Sequence, residues 1–156
     1  MTARRPVALA HGGAENDPAH ADGPRRAAQA ARDAMRAGGT ALDAVVEAVR
    51  LLEDDPRFNA GTGSNLRLDG RTVHMDACVL DSAGRLAIVI GLHDVRNPVL
   101  VARDLLATPH RALAGPGATR FARRMGHAPH DPRTPGAGDR AADAAGVRGS
   151  WGAWPM

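Results

Sequence analysis

The residues best placed to do chemistry crowd into one stretch, LLEDDPRFNAGTGSNLRLDGRTVHMDACVL, residues 51–80. Glu53, Asp54 and Asp55 are consecutive carboxylates, closed by Pro56 and followed by Phe58, one of two phenylalanines. Asn59-Ala60-Gly61-Thr62-Gly63-Ser64 comes next, a run of small residues that suits neither a helix nor an ordinary strand. Its glycines allow positive φ and close backbone approach. Carbonyls turned inward in such a loop can hold a hard cation, while the same turn held by hydrogen bonds alone is the competing use. Asn59, beside Gly61 and Gly63, can reach into a cleft while the backbone holds the turn.

Other reactive groups are weaker candidates. Thr2 sits in a polar leader, Thr40 reads as a helix cap and Thr62 as a loop residue, and Ser64 and Ser82 have no recognisable base. His11 ends a short apolar run, residues 7–10, and opens His11-Gly12-Gly13-Ala14. Glycines after a strand let backbone amides face a ligand or another strand, and a single histidine there reads as a hydrogen-bonded structural residue. His127 and His130 are three apart, but Pro129 lies between them and no second ligand pair accompanies them, so zinc spacing is not met. Cys78 is the single cysteine. It excludes an internal disulfide framework and reads as a small buried residue on a strand.

Stepping outward, residues 7–10 read as a buried first strand. A helix is expected from Pro24 to about Ala37, with Asp22 as its cap and Gly38-Gly39 as its end. Thr40 with Asp43 predicts a capping box for a second helix, on which Leu42, Val45, Val46, Val49 and Leu52 form one apolar face. Residues 72–80 and 85–92 read as a hairpin turning at Asp81-Ser82-Ala83-Gly84. Because 86–90 is apolar throughout, that strand is expected to be covered on both faces. Asn97 and Pro98 should cap and open a third helix reaching Ala107. A short strand is expected at 111–114, a break at Gly115-Pro116-Gly117, and a fourth helix over 118–125. Beyond Gly126 the Pro, Gly, Ala, Asp and Arg texture predicts a flexible linker, residues 127–156, carrying Trp151 and Trp154. The domain reading is therefore 1–126 plus that linker.

A chain of 156 residues suits one domain with a sizeable core. Aromatics are 3% with no tyrosine, so Ala, Val, Leu and Ile must build that core. All 20 basic residues are arginines, yet the net charge is only +3 and the signs are interspersed. Without a clustered basic face or stacking aromatics, nucleic-acid binding is not expected. No segment has membrane-spanning length and the N-terminus lacks a secretion-signal pattern. The expectation is a cytoplasmic protein.

The order of segments resembles a known family. LLEDDPRFNAGTGS, a Gly-containing turn and MDACVLD follow HGGA (His11 to Ala14) and ALDAVVEAVRLLEDD, and precede NPVLVAR and GPGATRFAR. Together they resemble the first half, or α subunit, of the plant-type asparaginase and isoaspartyl peptidase family of N-terminal-nucleophile hydrolases. Glu15 stands where that family commonly has another glycine.

The resemblance implies an α+β fold, an αββα four-layer sandwich to which this chain supplies the α-subunit half. It implies an L-asparaginase or β-aspartyl peptidase. Such an enzyme hydrolyses the side-chain amide of asparagine, or β-aspartyl dipeptides, through a threonine that opens a partner β subunit after self-cleavage, in an (αβ)2 heterotetramer. It further implies that the main-chain oxygens of Leu52, Glu53, Asp55, Phe58, Ala60 and Thr62 surround a sodium ion. Asn59 would help orient the nucleophile, and the loop of His11, Gly12 and Gly13 would support its surroundings. No cofactor beyond sodium is implied. The chain ends Trp154-Pro155-Met156, whereas the family usually has a small or acidic residue before the threonine. The cut would then fall elsewhere, or the halves would be separate chains. Glycosylasparaginase and threonine aspartase are weaker matches. The reading from another class is a non-catalytic scaffold that keeps only this half, and intact mass under denaturing conditions separates it from the enzyme.

Overall fold

The computed structural model describes residues 5–13, 17–67 and 69–135. Its elements are α1 (Asp22–Arg36), α2 (Ala41–Glu53), β1 (Met75–Leu80), β2 (Leu86–Leu92), α3 (Pro98–Leu105), β3 (Ala112–Ala114) and α4 (Gly115–Arg124). The expected capping box begins α2. The Asp43 N–H donates to Thr40 Oγ1 (3.1 Å) and the Thr40 N–H donates to Asp43 Oδ2 (3.0 Å), an arrangement that contributes about 1 kcal/mol. The start of α1 differs from expectation. Asp22 lies inside the helix and does not cap it, because Arg57 takes its carboxylate with two nitrogens (2.8 and 2.9 Å).

Helices α1 and α2 meet through alanines, Ala27 and Ala31 against Ala44 and Ala48. This shifts the buried face of α2. Val46 is buried with Ala44, Ala48 and Glu53, while Val45 and Val49, expected in the core, are 48% and 38% exposed. Seven residues separate Val46 from Glu53, about two helical turns, so the carboxylate lies on the stripe that faces the core.

The sheet has the order β1-β2-β3. The β1–β2 hairpin is antiparallel, with Cys78 opposite Ile88 and Leu80 opposite Leu86; residues 72–74 lie outside the ladder. After β2 the chain crosses over through α3 and returns as β3, parallel to β2, as a parallel pair requires. Helices α3 and α4 cover one face, where Met75, Val79, Ala87, Val89 and Leu92 meet Val99, Val101, Ala102, Leu105, Ala118 and Ala122. The other face is open. Leu80 is 61% and Ile90 47% exposed, and Cys78, expected to be buried, is exposed too. Cover on both faces of β2 is thus not found, because the described residues supply a layer to one face only. Residues 7–10, expected as a buried first strand, pair with no strand among the described residues; Ala8 and Ala10 pack on the α1–α2 alanines and Leu9 is 95% exposed.

Two further boundaries differ. Asn97 precedes α3 but makes no side-chain cap; its Nδ2 donates to Asp54 Oδ1 (3.2 Å). Gly115, Pro116 and Gly117 form the first turn of α4, since proline fits there without losing a helical hydrogen bond. Residues 127–135, expected as linker, run back over the fold. His127 Nε2 meets Asp104 Oδ2 (2.7 Å), His130 Nε2 meets Thr62 Oγ1 (2.8 Å), and the Gly63 N–H donates to the carbonyl of buried Pro132 (2.8 Å). The rest of the expected linker, with Trp151 and Trp154, lies outside the described residues. Among those residues no helix is long and apolar enough to cross a membrane.

Candidate active site

The loop after α2 is folded against the end of that helix by its glycines. Gly61 has φ +52°, and a Cβ there would lie 2.4 Å from the Glu53 carbonyl oxygen. Gly63 has φ +99°, and its Cβ would lie 2.4 Å from the Pro56 oxygen. No residue with a side chain fits either position without displacing backbone. Phe58 is 2% exposed and anchors the turn from below, its ring filling the space a Cβ on Gly23 would need. The Thr62 N–H donates to the Glu53 carbonyl (2.8 Å) and the Phe58 N–H to that of Asp55 (3.1 Å).

Three adjacent carboxylates suggested a charged cluster, but each is taken differently. Asp54 accepts from Arg50 (2.7 Å) and Arg96 (2.8 Å), and Asp55 from Arg26 (2.8 Å) and Arg57 (2.6 Å). Glu53 points inward and is 3% exposed. Its Oε1 accepts the Val99 N–H (2.9 Å), and Oε2 has no hydrogen-bond partner. Burial pushes the Glu53 carboxyl up to about 8; the Val99 N–H and Asn97 pull the other way without offsetting it.

With the side chains so engaged, the loop offers a cation its neutral main-chain oxygens. Of the six oxygens the resemblance names, those of Leu52, Glu53 and Asp55 already accept the N–H groups of Asp55 (3.3 Å), Thr62 (2.8 Å) and Phe58 (3.1 Å), so each would meet a cation with its second lone pair. Among the described residues no group of three or more His, Cys, Asp or Glu side chains could hold a metal ion.

Above the loop lies a cavity of ≈ 340 Å³, lined by Glu53, Asn59, Ala60, Gly61, Ser64, Asn65, Leu66, Arg67, His74, Met75 and Asp76. Asn59 is at its wall, and its Oδ1 accepts the Asn65 N–H (2.9 Å). Of the residues the resemblance names for the ion, Glu53 and Ala60 line this cavity with Asn59. His11 is held locally instead, its Nδ1 accepting the Gly13 N–H (3.0 Å), and Ala14 and Glu15 lie outside the described residues. Sequence reading missed Arg67, His74 and Asp76 in this cavity, and His130 against Thr62. The alternation of His74 and Asp76 with buried Val73 and Met75 was a usable signal for two of them. Nothing local marked His130.

The asparaginase family matches residues 6–144. The chain is 44% identical over 134 residues to a plant-type L-asparaginase of Pyrococcus abyssi, covering 81% of this chain and 43% of that protein. It is 52% identical over 101 residues to the plant-type L-asparaginase of Pyrococcus furiosus, covering 62% and 32%. An isoaspartyl peptidase/L-asparaginase of Danio rerio is 43% identical over 130 residues, covering 78% and 41%. The chain belongs to the plant-type L-asparaginase and isoaspartyl peptidase family, within the N-terminal-nucleophile hydrolases. It spans less than half the length of these relatives.

Proposed function

We propose that this chain is the α-subunit half of an amidohydrolase that cleaves the side-chain amide of asparagine, β-aspartyl dipeptides, or both. One observation carries the reading most directly. Residues 7–10 join no strand among the described residues and Leu9 is 95% exposed, in a chain matching 43% of a relative's length. The open sheet face at Cys78, Leu80 and Ile90 supports the same conclusion. A second half would add strands and the missing layer, completing an αββα four-layer sandwich, and two such pairs would form an (αβ)2 assembly.

The nucleophile is then a threonine that opens the second half after self-cleavage, its free α-amine taking the hydroxyl proton. The hydroxyl oxygen attacks the amide carbonyl, the tetrahedral oxyanion collapses, and ammonia or an amino acid leaves. Water releases aspartate from the resulting ester. Each of the described hydroxyls Thr40 and Thr62 has a structural partner, Asp43 and His130. N-terminal sequencing of every polypeptide in an active preparation tests the assignment. A partner beginning with threonine is expected, and activity retained by this chain alone would overturn it.

In this enzyme the carbonyls of Leu52, Glu53, Asp55, Phe58, Ala60 and Thr62 hold a sodium ion, which keeps the turn beneath Asn59 in one shape. Replacing sodium with a large organic cation is expected to lower the melting temperature by about 2 °C or more; a melting temperature indifferent to the cation would remove the site. Asn59 stands beside the nucleophile and orients it with its amide. Asn59→Asp keeps an acceptor for the Asn65 N–H and removes the Nδ2 donor. We expect Asn59→Asp to melt like the parent and to turn over at least about tenfold more slowly. Equal turnover per folded molecule would reduce Asn59 to a turn residue.

A further inference from the structure

The cavity beneath which Asn59 sits carries an arginine whose charge the fold does not use. Arg26, Arg50, Arg57, Arg85, Arg96, Arg103 and Arg133 each meet a carboxylate within 2.8 Å. Arg67 lines the cavity and has no ion pair among the described residues; the hydrogen bonds it makes there are main-chain ones, its N–H to the Thr72 carbonyl (2.7 Å) and its carbonyl to the Gly70 N–H (2.9 Å).

The acidic groups around it are committed elsewhere. Asp69 accepts the N–H groups of Arg71 (2.9 Å) and Thr72 (2.8 Å) and the Thr72 hydroxyl. Asp76 Oδ1 accepts the Gly91 N–H (2.7 Å) across the hairpin. Glu53, on the same wall, is buried.

Beside Arg67, His74 packs edge-on against His93 with ring centroids 4.3 Å apart. Burial, His93 and then Arg67 hold the His74 imidazole below its ordinary value, with Asp69 and Asp76 opposing them. This end of the cavity is therefore lined by an arginine and a histidine, with Asn59 at the same wall. A guanidinium fork is suited to bidentate recognition of a carboxylate.

We propose that Arg67, with His74 beside it, binds the free carboxylate of the amino acid that leaves when a β-aspartyl dipeptide is hydrolysed, so that this enzyme favours dipeptides over asparagine. The inference rests on the function proposed above. Asparagine releases ammonia and has no carboxylate beyond the scissile bond, whereas a β-aspartyl dipeptide carries one there.

The test uses the chain together with its threonine-initiated second half and two substrates, a β-aspartyl dipeptide and the same compound with its C-terminal carboxylate amidated. The intact enzyme is expected to prefer the carboxylate form in kcat/KM, and Arg67→Gln to lower that preference about tenfold, the usual cost of losing a charged hydrogen-bonding partner. Arg67→Lys, which keeps the point charge without the fork, should retain only part of it. A ratio unchanged in Arg67→Gln overturns the role of Arg67 while leaving the proposed function standing. Failure of the intact enzyme to cleave either β-aspartyl substrate or asparagine overturns both.

Discussion

Gly61→Ala is expected to destabilise the protein by about 3 kcal/mol or more, read as a shift of the urea midpoint. Two costs combine. The residue is held at φ +52°, where an L side chain is strained, and the new Cβ would lie 2.4 Å from the Glu53 oxygen, 2.6 Å from the Glu53 Cβ and 2.9 Å from the Arg96 oxygen. Two of these neighbours are backbone atoms, so relief requires the end of α2 or the connector before α3 to move. Gly117→Ala is the matched control. Nothing lies within 4 Å of its Cβ position and it sits in the first turn of α4. That change should be neutral or stabilise by about 0.5 kcal/mol through the unfolded chain. Equal midpoints for the two variants would mean that the turn does not close on α2 as described.

The second large effect is a fall in stability between mildly acidic and mildly alkaline pH. The folded protein holds the Glu53 proton up to about 8, whereas the unfolded chain releases it near 4.5. Between those values the folded state binds one more proton, so stability drops as pH rises. The contribution is fully present below about pH 4.5 and is lost as pH rises through about 8, with an upper bound on the order of 5 kcal/mol. His74, held below its ordinary value, contributes the opposite sign and partly masks the slope. Glu53→Gln keeps the shape and an acceptor for the Val99 N–H. Denaturant midpoints at pH 5 and pH 8 should separate clearly in the parent and lie close together in Glu53→Gln. Parallel shifts in both proteins would assign the slope to other groups.

Features whose cause lies within a few residues were legible in the sequence. The Thr40–Asp43 capping box and the 81–84 turn of the hairpin needed only local chemistry. So did the glycine-rich turn after α2. Errors arose where a distant residue outcompeted a local one. Asn97 fails as a cap because Asp54, 43 positions earlier, holds its amide, and Asp22 fails because Arg57, 35 positions later, holds its carboxylate. Val45 and Val49 look like core residues by periodicity, yet the alanines beside them allow α1 to approach α2 on another face. Of the site, the loop and Asn59 were readable, since small residues and an amide in a turn have few other uses. Arg67 was not, because its significance depends on which neighbouring carboxylates are already engaged.

The clasp of His130 and Pro132 on the glycine-rich turn also sets an order of assembly. Thr62 meets His130 across 68 positions, and the Gly63 N–H waits for the Pro132 carbonyl. A chain emerging from the ribosome offers α2 and the turn early, but it must make β1, β2, α3, β3 and α4 before the clasp exists. Closing so long a segment is repaid only once its intervening elements have packed. The turn that carries Asn59 is consequently made among the first parts of the chain and fastened among the last, so a fault in the docking of α4 registers at the turn.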